Sequence, residues 1–195
     1  EPSLQWRTYL AVLLCLGPRV NDGAQLSAAE FVFDRVSPGK RSRRINESGW
    51  LVFTPGKTKR YKGRLILPMP TPVSNHVAEL LGRNGGDLFS WNNSTAKRFR
   101  EQWKAIAAEA GLPDALLKWC RSTSSNLWDR ANPGQECGRW ALGHAARDVN
   151  ERNYMSRESA LIIAAQAMRL PDCFYTFKGQ GIATFAQAFH HGDGI

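Results

Sequence analysis

A chain of 195 residues, 43% of them hydrophobic, has enough material for one well-buried core and too little for two ordinary domains. Twenty-six Lys and Arg against 17 Asp and Glu leave a net charge of +9 and a pI near 9.8, which points to a polyanionic partner, DNA or RNA ahead of an acidic membrane surface. A merely soluble basic protein is the plainer reading of charge alone. Cys15, Cys120, Cys137 and Cys173 are far apart and form no C-x-x-C pair, which argues against a disulfide framework or zinc knuckle and for a reducing cytoplasm. The most apolar run, Leu10 to Leu16, is too short to span a bilayer and reads as buried helix.

In chain order, Leu4 to Leu16 predicts a helix that stops at Gly17-Pro18. Arg19 follows that break, and a second short helix through Gln25-Leu26 places Asp22 one turn later, close enough to orient the guanidinium. Phe31-Val32-Phe33, Trp50 to Phe53 and Arg64 to Pro68 predict three short strands of a small antiparallel sheet. The basic run Lys40-Arg41-Ser42-Arg43-Arg44 between the first two suits a loop near DNA phosphate, or simply a solvated loop. Thr54 to Arg60, with Lys57, Lys59 and Arg60, reads as a cation-loaded hairpin turn between the last two.

The chain then turns helical. Val73 to Leu81 and Ser94 to Ala110 carry apolar residues at helical spacing, and Lys97 and Lys104 lie on the polar side of the second. His76 is a lone histidine, best read as a surface or packing residue. Asp114 is the expected cap of the next helix, whose inner face is Leu116, Leu117, Cys120 and Leu127, with Lys118 and Arg121 three apart on one side. A further helix, about Glu136 to Leu142, stops at Gly143 and leaves His144 at its C-terminus, where a protonated imidazole is favoured. Val149 to Met155 predicts another short helix, carrying Tyr154, and Ser156 to Leu170 a last amphipathic one. Beyond Pro171 lies an aromatic tail with Phe174, Tyr175, Phe177, Phe185 and Phe189.

The stretch Arg139 to Tyr154 stands out, with a histidine after a Leu-Gly pair and a tyrosine ten residues on. A tyrosine hydroxyl can attack a phosphodiester and store the bond energy as a phosphotyrosine, but its ordinary pKa is about 10, so cations must assist. Arginine assists best, since its planar fork gives two parallel donors to phosphate oxygens and stays charged. Arg121 and Arg19 are the candidates. Alone, each of these cations would pass for a solvated surface residue.

Five blocks in order, Leu16-Gly17-Pro18-Arg19-Val20-Asn21-Asp22, Gly56-Lys57-Thr58-Lys59, Lys118-x-x-Arg121, Leu142-Gly143-His144 and Asn153-Tyr154, resemble the catalytic domain of the tyrosine recombinase, or phage integrase, family. The resemblance runs from about Thr8 to Pro171 and departs from the family at Lys118, where a histidine is usual. It implies an α+β, mainly α-helical catalytic domain over residues 1–171 with a small three-stranded antiparallel sheet. Residues 172–195 become a tail docking in cis or on a neighbouring protomer, and the family's N-terminal DNA-clamping domain is expected to lie outside this chain, as in a catalytic fragment.

Carried over by position, Tyr154 is the nucleophile forming a 3′-phosphotyrosyl link, and Arg19, Arg121 and His144 stabilise the charge on phosphorus. Lys57, with Lys59 as fallback, protonates the leaving 5′ oxygen; Lys118 is a proton-transfer group or a phosphate clamp, and Asp22 supports Arg19. Lys40, Arg41, Arg43, Arg44, Lys59, Arg60, Lys97 and Lys104 are candidate DNA contacts. The chemistry implied uses no metal and no nucleotide cofactor. The partners implied are double-stranded DNA and further protomers, a DNA-bound tetramer, with no membrane and a nucleoid-associated location. Two other readings share the residues: a type IB topoisomerase-like relaxing activity, and a DNA-binding protein with a decayed active site, for which the Lys118 departure is the hint.

Overall fold

The computed structural model describes residues 4–39, 43–56, 64–84, 88–89, 101–105, 107–108, 111, 113–144 and 157–169. The chain is an α+β fold with a three-stranded antiparallel sheet. Helix α1, Leu4–Leu16, is its axis. Tyr9, Ala11, Val12, Leu13, Cys15 and Leu16 are all buried, and a helix so apolar around its circumference belongs inside a domain.

Gly17 ends α1 in the left-handed conformation at φ +62°, its N–H donating to Leu13 O at 3.2 Å, and Pro18 blocks continuation. A short helix α2, Val20–Gly23, follows. It ends before Gln25-Leu26, earlier than the apolar pattern suggested; Leu26 is buried from the loop that follows. The Tyr9 hydroxyl donates to Val20 O at 2.8 Å, which pins the start of α2 beneath α1.

Strands β1 (Phe31–Val32), β2 (Trp50–Phe53) and β3 (Leu65–Pro68) pair in the order β1-β2-β3, with Leu51 opposite both Phe31 and Leu67. Phe33, expected in the first strand, falls outside it and is partly exposed. All four residues of β2 are buried, as befits a central strand covered on both faces. Helix α3 covers Thr71–Arg83, starting two residues before the apolar periodicity because Pro72 is at home in a first helical turn.

Helix α4, Trp119–Ala131, packs against α1, and the Trp128 indole N–H donates to Cys15 O at 2.6 Å, satisfying a carbonyl in the last turn of α1. Its N-cap is Lys118, not Asp114; the chain between them makes turns before the helix starts, so Asp114 is too far upstream to cap it. Leu117 and Cys120 are buried as expected, whereas Leu116 lies before the helix and is exposed. Helix α5, Cys137–Ala141, meets α4 closely, the Gly138 N–H donating to Asp129 Oδ1 at 2.8 Å. Helix α6, Arg157–Ala167, packs on α4, α5 and β3 through buried Leu161, Ile162, Ala164 and Ala165, with Met168 buried just beyond. Residues 101–105 are helical; Lys97, the segment 149–155 and the aromatic tail lie outside the described residues. Among the described residues no helix is long and apolar enough to cross a membrane.

His76, on α3, is buried, so of the surface and packing roles it takes packing, and its backbone carbonyl accepts from the Thr8 hydroxyl at 3.2 Å. Burial first, and the charge of Arg7 second, hold its pKa down to about 4 from an ordinary 6.5. The folded state thus keeps the ring neutral where the unfolded chain would protonate it. The stability this contributes is complete above pH 6.5 and drains away as pH falls towards 4. By pH 4.5 the loss should be about 2 to 3 kcal/mol. Urea unfolding at pH 7 and pH 4.5 should show a smaller drop for His76→Gln than for the native chain.

Candidate functional site: a cationic centre at the end of helix α1

Three of the five sequence blocks, with Gly56 at the start of another, meet where α1 ends. The Arg121 side chain, in the first turn of α4, donates from Nη1 to Gly17 O and from Nη2 to Leu142 O, the latter at 3.1 Å. One guanidinium thus bridges the turn that precedes Arg19 and the turn that precedes His144. Both carbonyls are helix-end acceptors with no intrahelical partner to spare, which suits a charged donor.

Arg19, at the N-cap of α2, places Nη1 3.6 Å from Asp22 Oδ2. The other oxygen, Asp22 Oδ1, accepts from the Gly56 N–H at 3.1 Å. Asp22 therefore does more than support Arg19. It also holds the chain at Gly56, the residue before Lys57, across a sequence separation of 34. Neighbour spacing on the helix made the first contact readable; the second is a long-range contact that no local pattern encodes.

The Arg121 pKa is lowered, first by burial and then by the adjacent Arg19 charge, with Asp22 opposing. Two guanidinium groups held close on a partly dry surface, sharing one carboxylate, make a centre that an arriving anion would stabilise. Among the described residues lining the clefts around it, Asp22 is the only acid.

The fourth block ends in a Schellman turn. Gly143 stands at φ +69°, its N–H donating to Trp140 O at 2.8 Å and the His144 N–H to Arg139 O at 3.1 Å. His144 stands at the C-terminal end of α5, as its Leu-Gly context predicted, and is exposed there. It shares a groove of about 500 Å³ with Lys118 and Arg121, and Trp119, Ser122 and Asn126 complete much of the wall. A more apolar cavity of about 670 Å³ shares Lys118 and Arg121 with that groove, and there Arg19, Lys104 and Lys118 meet Leu13, Trp103 and Leu117. Lys118 is exposed and borders both.

The structure thus gathers Arg19, Asp22, Lys118 and His144 in clefts that share Arg121, with Lys104 on the margin of one of them. Arg43 and Arg44 are exposed on the loop between β1 and β2, and Arg44 Nε lies 3.9 Å from Glu158 Oε2 at the start of α6. Lys57, Tyr154, Lys40, Arg41, Lys59, Arg60 and Lys97 lie outside the described residues.

Two other side chains near the centre are chemically quiet. Cys120 borders the apolar cavity, but burial pushes its thiol up to about 11, so it is protonated and a poor nucleophile at neutral pH. Burial likewise raises the Tyr9 phenol above its usual range while its hydroxyl is engaged with Val20 O. Among the described residues no cluster of three His, Cys, Asp or Glu could hold a metal ion. No protein-family model, curated protein or solved structure matches the chain.

Proposed function

We propose that this chain is the catalytic domain of a tyrosine recombinase, a DNA strand transferase that cuts and rejoins DNA through a 3′-phosphotyrosyl intermediate. The observation that carries the reading is the Arg121 guanidinium bound at once to Gly17 O and Leu142 O, which draws the first, third and fourth sequence blocks to one place while Asp22 draws in the root of the second.

In this mechanism Arg19, Arg121 and His144 hold the non-bridging oxygens of the scissile phosphate, supplying preorganised positive charge where negative charge accumulates. Tyr154 attacks phosphorus as its phenolic proton passes to solvent, and the 5′ oxygen departs with a proton from Lys57. A 5′ hydroxyl from a second strand then reverses the step. Lys118, exposed beside Arg121 and His144, acts as a phosphate clamp or as a proton-transfer group. Double-stranded DNA and further protomers bound on it are the partners in this reading.

The test is a duplex nicked close to the cleavage point, which releases a short fragment and traps the covalent adduct. Mass spectrometry should place a 3′-phosphate link on Tyr154, and Tyr154→Phe should abolish it. An adduct elsewhere, or none from the native chain, would refute the proposal. Relaxation of supercoiled DNA without strand exchange would instead favour the topoisomerase-like reading.

A further inference from the structure

Trp119 is out of keeping with the other tryptophans among the described residues. Trp6, Trp50, Trp128 and Trp140 are buried, Trp103 is half-buried with its indole N–H donating to Ala115 O, and Trp119 is 51% exposed. A large apolar ring in water calls for a partner when it sits inside a concave polar site. Trp119 does so: it lines the 500 Å³ groove together with Lys118, Arg121 and His144 on one side and Ser122, Ser125 and Asn126 along the exposed face of α4. Cations for phosphate, hydroxyl and amide groups for sugar or base edges, and one flat ring for a base face are the ingredients of a groove for unpaired nucleic acid. Inside a duplex a base face is covered by its neighbours, so an indole can reach it only where the base has left the stack.

We propose that Trp119 is a stacking platform for an unpaired nucleobase next to the cleaved phosphate, so that the preferred substrate carries an unpaired nucleotide there. The inference rests on the phosphate site argued above and adds the substrate class to it. The place of Trp119 explains the proximity: it directly follows Lys118 and stands two residues before Arg121, so a base resting on it belongs to a nucleotide adjoining the phosphate those cations hold.

The experiment compares two duplexes that differ only in one 2-aminopurine, fully paired in the first and extrahelical in the second. The native chain should bind the second about ten-fold more tightly and quench its fluorescence, a size in line with one base–aromatic stack. Trp119→Ala should remove both the preference and the quenching, and Trp119→Phe should keep most of each. Because Trp119 lies outside the core, the variants should melt at the native temperature. Raising the salt should weaken both duplexes alike and leave their ratio unchanged. Equal affinity for the two duplexes, or a preference that survives Trp119→Ala, overturns the proposal. So does a change in sedimentation of Trp119→Ala with the DNA preference intact, which would mean that the ring covers a second copy of the chain. A preference without any Tyr154 adduct would uphold the stacking role and remove the recombinase reading; an adduct without the preference would do the reverse.

Discussion

Arg121→Lys should lower the rate of covalent adduct formation by on the order of 10² to 10³, close to the loss expected for Arg121→Ala. A lysine keeps the charge, so a simple Coulomb view would forecast a mild effect. The geometry forecasts otherwise. Arg121 spends one terminal nitrogen on Gly17 O and the other on Leu142 O, and presents a phosphate with what remains of its fork. A single ammonium cannot reach two carbonyls from different segments and an anion in the same posture. The Leu142-Gly143-His144 turn would lose its tie to the end of α1, and His144 its fixed place. Single-turnover cleavage of the nicked duplex measures the rate, and an Arg121→Lys rate within a factor of a few of native would refute this account.

Gly17→Ala should destabilise the fold by about 2 to 5 kcal/mol, adding the strain of a left-handed alanine to that of an overfilled contact. The backbone there stands at φ +62°, and a methyl group would come within 2.6 Å of Leu142 Cδ2 and 2.7 Å of Ser124 Oγ. Ser124 is fully buried on α4, so it has little room to retreat. Any shift that relieves the clash moves Gly17 O, which Arg121 holds, so cleavage should fall along with stability. Denaturant unfolding gives the first effect and the adduct assay, run well below the new midpoint, the second. By contrast, Gly134→Ala, also left-handed at φ +84° but with nothing within 4 Å of the added methyl, should cost only the backbone strain of about 1 to 2 kcal/mol and leave cleavage by the folded chain little changed.

The parts of this architecture that the sequence discloses are those written in short-range chemistry. The stop of α1 at Gly17-Pro18, the placing of Asp22 against Arg19, the three strands and the helix-end place of His144 after Gly143 each follow from a few consecutive residues. What stays hidden depends on contacts between distant segments. Asp114 looks like a cap, yet the chain uses it in a turn and begins α4 after Lys118, because Leu117 and Cys120 must face α1. Leu116 has the right spacing for an inner face and still falls outside the helix. The grip of Asp22 on Gly56 and of Arg121 on two carbonyls involves backbone acceptors and donors, which every residue carries and no composition reveals. Trp119 was detectable as an aromatic between two cations, but only its exposure distinguishes it from the buried tryptophans.

The two carbonyl oxygens that Arg121 clasps come from residues 104 positions earlier and 21 positions later in the chain. The clasp therefore needs the end of the first helix and the turn after α5 to be in place at the same time. A partly folded or clipped chain would still be basic enough to adhere to DNA, yet it would lack the fixed fork that makes a bound phosphate vulnerable. If the chain cleaves DNA as proposed, strand breakage would in this way be confined to the fully folded molecule.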